Sequence, residues 1–135
     1  MTRSFDDIAV GDALTPLTID VTARQIVAGA IASRDFQDVH HDKQAAIRSG
    51  SPDIFMNILT SNGLAARFVT DWAGPDARLT EIAIRLGVPN RPGEQLRFDG
   101  SVQAVDPAGR VATVSVRGAN SLGDHVTGTA KVQWS

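Results

Sequence analysis

Two of the chain's three histidines are adjacent, in the segment Arg34-Asp35-Phe36-Gln37-Asp38-Val39-His40-His41-Asp42. Asp35 and His40 stand five positions apart, a spacing at which an irregular segment can bring a carboxylate and an imidazole onto one small site. Imidazole titrates near neutral pH and passes a proton in either direction. A carboxylate beside it can hold a water and take or give its second proton. Together the two suit addition or removal of water. Spacing leaves two other readings open. Asp, Gln and His are common in solvated surface turns, and His40, His41 and Asp42 are all metal-ligand types. Adjacent loop histidines rarely reach one ion, and His125 stands alone in a strand, so no metal ligand is assigned.

The flanking elements must position this segment. Leu14 to Val21 alternates loosely and carries Pro16, which suits an edge strand. Thr22 with Gln25 three residues on reads as a helix start. Ile26, Val27, Ala30 and Ile31 then share a face of a helix reaching about Ser33. Asp42 caps a short helix, Lys43 to Ile47, that stops near Ser49-Gly50. Ser51-Pro52-Asp53 leads into the longest helix, predicted from Ile54 to Ala73 and closed by Gly74-Pro75. Its apolar positions cover much of the circumference, so it is expected to be well buried. Gly63 inside it costs about 1 kcal/mol against alanine, which suggests a close approach to a strand.

Four strands are predicted after the helix: Leu79 to Leu86, Gln95 to Val105, Val111 to Val116 and His125 to Trp134. Turns at Asn90-Arg91-Pro92-Gly93, Asp106-Pro107-Ala108-Gly109 and Ser121-Leu122-Gly123-Asp124 separate them. A curved antiparallel sheet wrapped around one central helix satisfies this order. It leaves two edges, which commonly pair with a second subunit. Trp72 and Trp134 read as packing residues.

Composition narrows the chemistry. The chain has 135 residues, 42% hydrophobic, which supports one packed core and is read as a single domain, 1–135. It has no cysteine, which excludes disulfides, thiol nucleophiles and cysteine-ligated metal. Thirteen basic and 15 acidic side chains give a net charge of -2 with no basic block, so no nucleic-acid partner is expected. No apolar stretch is long enough for a membrane span, and the acidic N-terminal dozen residues do not read as a secretion signal. A cytoplasmic location is expected.

The same residues resemble a known pattern. In the MaoC-like dehydratases, the hot-dog-fold family of (R)-specific enoyl-CoA hydratases, the stretch runs roughly Gly-Asp-x-Asn-Pro-hydrophobic-His-x-Asp. An alanine, a glycine and an Ile-x-His-Gly at the central helix follow. Here Asp35 and His40 fall on the family's catalytic Asp and His, with Ala46 and Gly50 after them. Phe5-Asp6-Asp7-Ile8-Ala9-Val10-Gly11-Asp12 resembles the family's opening. Arg34 stands for its Gly, Gln37-Asp38 for Asn-Pro, and Ile54-Phe55-Met56-Asn57 for Ile-x-His-Gly. The resemblance implies an α+β hot-dog fold and hydration of an enoyl-CoA thioester. It implies no separate cofactor, because coenzyme A belongs to the substrate. It places the thioester oxygen on the Asn57 N–H, with Phe55, Met56 and Gly63 as further substrate-contacting candidates.

A narrower likeness is to the small subunit of actinobacterial hydratases that act on steroid side-chain enoyl-CoA thioesters. It rests on the whole Arg34–Asp42 segment, on Asp53-Ile54-Phe55-Met56-Asn57-Ile58-Leu59-Thr60, on Thr70-Asp71-Trp72-Ala73-Gly74-Pro75 and on Arg85-Leu86-Gly87-Val88-Pro89. It implies a homodimer, or a heteromer with a second MaoC-like chain. A thioesterase, an acyl-CoA-binding module and a non-catalytic subunit that shapes a partner's site are the competing functions.

Overall fold

The computed structural model describes residues 2–135. β1 (Leu17–Asp20) leads into α1 (Ala23–Ala32), started by the Thr22 hydroxyl, which accepts from the Gln25 N–H at 3.1 Å. A 3-10 turn at Asp38–His40 precedes α2 (Lys43–Arg48), capped by Asp42 through the Ala45 N–H at 3.1 Å. The long helix α3 spans Ile58–Ala73, and Gly74, at φ 85°, ends it. β2 (Ala77–Leu86), β3 (Gln95–Asp99), β4 (Val102–Asp106), β5 (Val111–Asn120) and β6 (Gly123–Trp134) complete the chain. The six strands form one antiparallel sheet in the order β1-β3-β5-β6-β2, with β4 also paired to β5. The sheet curls around α3 in the α+β hot-dog arrangement.

The core lies between them. Ala65, Phe68, Val69, Trp72 and Ala73 turn inward from α3, against Leu96, Phe98, Val114, Ala130 and Val132 from the strands. Phe68 stacks on Phe98 at 5.5 Å, and Trp72 meets Trp134 edge-on at 6.0 Å.

Four expectations need correction. α3 begins at Ile58, not Ile54. Residues 54–57 run extended because Phe55 N–H is drawn to Val39 O at 3.2 Å and Met56 N–H to Asn90 O at 2.9 Å. Asn57 then caps the helix. Ile58 and Leu59 are consequently about half exposed, so the helix is buried on one face only. Gly63 faces open space, and the close approach is made instead by Gly29 of α1, where a Cβ would collide with the Thr60 side chain.

The predicted strand 95–105 is two strands. Gly100 rests directly on the Ser115 carbonyl, so β3 pairs with the end of β5 and β4 with its start. An irregularity between Val102 and Ala104 then turns Ala104 outward and Val105 inward.

Candidate active site

The site is assembled where α1 ends. Ser33 is the C-cap, Arg34 adopts the left-handed φ of 57°, and Asp35 N–H returns to Ala30 O at 2.9 Å while Arg34 N–H returns to Ile31 O at 3.0 Å. This is a Schellman motif, whose left-handed position usually holds glycine. The reversal throws Asp35 off the helix end toward the lead-in of α3. The 3-10 turn that follows rotates His40 inward, leaving it 6% exposed.

The two side chains meet. His40 Nε2 lies 3.2 Å from Asp35 Oδ2. His40 Nδ1 is 2.7 Å from Phe55 O, an atom that only accepts, so Nδ1 carries a proton. Phe55 also places its ring edge-on to the imidazole at 5.1 Å. His41 and Asp42 go elsewhere. His41 Nε2 donates to Phe36 O at 3.3 Å, and Asp42 is occupied capping α2.

Asn57 completes the cluster through its side chain. Its Nδ2 donates to Asp35 Oδ2 at 3.1 Å and to Ser33 Oγ at 2.9 Å. Its Oδ1 accepts from Thr60 N–H at 3.2 Å and from Thr60 Oγ1 at 2.5 Å. Both amide protons and both oxygen lone pairs are used, which fixes the amide's orientation. The Asn57 donor, with smaller help from Gln37 N–H and the His40 charge, holds the Asp35 carboxyl below the usual carboxylate range against the opposing effect of burial. Asp35 is therefore an anion at neutral pH. Its Oδ2 faces His40 Nε2 directly, at 3.2 Å.

A cleft of about 430 Å³ opens over this pair. Asp35, His40, Phe55, Met56 and Asn57 line one side, with the segment Leu86–Pro89 and His125 also contributing. Among the described residues, the N–H groups of Asn57 and Ile58, at the start of α3, donate to no protein acceptor. Gly63 is not part of the cleft lining. Sequence reasoning passed over Ser61 and His125, which lie 64 positions apart and meet at 2.7 Å behind the cleft. No local signal marks them.

Comparison with known proteins agrees with the fold. A family model described as MaoC like domain matches residues 8–123. Over 123 residues, 91% of this chain and 94% of the relative, the chain is 50% identical to the 3-oxo-4,17-pregnadiene-20-carboxyl-CoA hydratase beta subunit of Mycobacterium tuberculosis. A chain in the crystal structure of the ChsH1-ChsH2 complex from Mycobacterium tuberculosis superposes with a TM-score of 0.90 at 49% identity, covering 94% of this chain and 98% of that one. The unliganded R-hydratase PhaJ1 from Pseudomonas aeruginosa gives 0.86 at 22% identity over 96% and 84% of the two chains, a likeness of fold. The chain belongs to the MaoC-like dehydratase family.

Proposed function

We propose that this chain is the catalytic subunit of an enoyl-CoA hydratase, adding water across the 2,3 double bond of a steroid side-chain 2-enoyl-CoA thioester together with a second MaoC-like chain. The observation that carries it is the Asp35–His40 pair, 3.2 Å apart beneath a cleft. Half the residues are shared with a hydratase subunit named for a steroid carboxyl-CoA, and a complex of two chains contains a near-superposable one. We read residues 1–135 as one domain of this kind. A cytoplasmic location is part of the reading and rests on the cysteine-free composition. Among the described residues, no helix is long and apolar enough to cross a membrane.

The mechanism takes the pair with Asp35 ionised and a proton on His40 Nε2. The substrate's thioester oxygen accepts from the free N–H groups of Asn57 and Ile58, at the positive end of α3. That draws electrons from the double bond and makes Cβ electrophilic. Asp35, already ionised, removes a proton from the bound water as its oxygen bonds to Cβ. The electron pair moves onto the thioester as an enolate. His40 Nε2–H delivers its proton to Cα, collapsing the enolate to the hydroxyacyl thioester. Asp35 is then protonated and His40 neutral, and transfer across the 3.2 Å contact resets the pair. A scaffold subunit has no use for this arrangement, and hydrolysis of the thioester would release a thiol.

Loss of enoyl-thioester absorbance, with a thiol reagent present to trap free coenzyme A, tests the reading. Asp35→Asn and His40→Ala are expected to cut hydration by about 10²-fold or more each, with circular dichroism unchanged. Near-full hydration in either variant, or thiol release at the rate of enoyl loss, would overturn it.

A further inference from the structure

His125 is a buried histidine that this mechanism leaves unused. It is 2% exposed at the start of β6 and lines the same cleft as Asp35 and His40. Its Nδ1 donates to Val88 O at 2.6 Å, so the proton of the neutral ring is on Nδ1. Its Nε2 then accepts from Ser61 Oγ at 2.7 Å. Burial pushes the His125 pKa below the ordinary imidazole value, the Val88 contact opposing it, which keeps this neutral tautomer in place.

Ser61 is fully buried one turn into α3; its one hydroxyl proton goes to His125, and its N–H donates to Asn57 O at 3.2 Å. Asn57 in turn holds Asp35. A continuous line of polar contacts therefore runs from His125 through Ser61 and Asn57 to Asp35 and His40. Among the described residues, Ser61–His125 is the only hydrogen bond between α3 and the sheet. The buried core side chains Ala65, Phe68 and Val69 of α3 are apolar, and apolar contacts are not directional. The helix start is held by the Met56 N–H on Asn90 O, and the Ser61–His125 bond adds a directional tie one turn further in. A slip of a few tenths of an ångström would lengthen the 3.1 Å bond that orients Asp35.

We infer that His125 is a positioning residue for the Asp35–His40 pair, acting through the Ser61 hydroxyl to fix α3, and with it Asn57, along the helix axis. The inference deepens the hydratase reading, and one arm of its test is independent of turnover.

Four variants separate positioning from packing. Ser61→Ala deletes one buried oxygen. His125→Asn keeps a donor near Nδ1 for Val88 and loses the acceptor for Ser61. His125→Gln carries an amide oxygen to the Nε2 position and keeps that acceptor. Ser61→Ala and His125→Asn are expected to lower kcat by about tenfold each with KM within about twofold. His125→Gln is expected to keep at least about half of kcat, and the Ser61→Ala/His125→Asn double variant to be no worse than the poorer single one. In the turnover-independent arm, the His40 ring ¹⁵N resonances shift in Ser61→Ala and His125→Asn and stay in place in His125→Gln.

Unmoved His40 resonances in the first two variants sink the inference, whatever the turnover. So do wild-type kcat values in them, or equal losses in His125→Asn and His125→Gln that follow the urea midpoint. A wild-type protein that hydrates no enoyl-CoA would instead defeat the hydratase reading, leaving the resonance arm to decide this one.

Discussion

Asn57 departs from the glycine of the family pattern, and the structure gives the departure a purpose. The backbone N–H remains available for a thioester oxygen, while the side chain turns away to hold Asp35 and start α3. Asn57→Ala separates these jobs because it keeps the N–H. Loss of the cap is expected to cost about 1 kcal/mol at neutral pH, read as a lower urea midpoint. Loss of the Nδ2 donor releases the Asp35 carboxyl upward toward its ordinary value. The folded-state pKa of Asp35 lies below its unfolded value. Its contribution to stability is thus complete above the unfolded value and lost as pH falls through the folded one. In Asn57→Ala that loss, and the acid limb of kcat/KM belonging to Asp35, should both move to higher pH. An acid limb unchanged from wild type would show that Asn57 does not control Asp35.

The elements carry the site through two joints. One is the Schellman turn at the end of α1, where Arg34 takes a left-handed conformation that disfavours a side chain by about 1 kcal/mol. Arg34→Gly is expected to raise stability by a few tenths to about 1 kcal/mol, since relief of strain outweighs the added freedom of the unfolded chain. A lower thermal midpoint would mean that the Arg34 side chain contributes more than its backbone costs. The other joint is the crossing of α1 over α3 at Gly29, closed by Thr60. A methyl group at Gly29 must displace Thr60, whose Oγ1 donates to Asn57 Oδ1. Gly29→Ala is therefore expected to destabilise by about 1–3 kcal/mol and to lower kcat together with stability. An alanine accepted at no cost would show that the crossing is loose.

The molecule as a whole offers less room than its proposed substrate needs. The cleft measures about 430 Å³ and is open on one side, whereas a polycyclic acyl group and the pantetheine arm exceed it together. Next in sequence to residues that line it, Phe36 is 66% exposed and Leu59 52%, and Ile58 of the lining is 51% exposed. A second MaoC-like chain seated there would cover them and close the cleft. Leu59→Lys, on the exposed face of α3, is expected to weaken that association by about tenfold or more in sedimentation while leaving the isolated chain folded. Unaltered association would place the partner on another face, such as the free edge of β2.

Local features were readable from residue order. Thr22, Asp42 and Gly74 act within four residues of themselves, so caps and stops follow from side-chain chemistry. Alternation marked the strands, and Asp35 with His40 stood out by type and spacing. What residue order lacked was direction and distance. His40 and His41 are the same residue side by side, yet the 3-10 turn buries one and leaves the other 38% exposed at its side chain. The start of α3 was misplaced by a turn because partners from two distant segments, Val39 and Asn90, hold residues 55 and 56 extended. The Asn57–Asp35 and Ser61–His125 bonds join residues 22 and 64 positions apart. The Asp35–His40 pair was thus legible as composition. Its orientation and its ties to the rest of the fold come from contacts that exist only once the chain has closed on itself, because a hydrogen bond depends on geometry that no local pattern encodes.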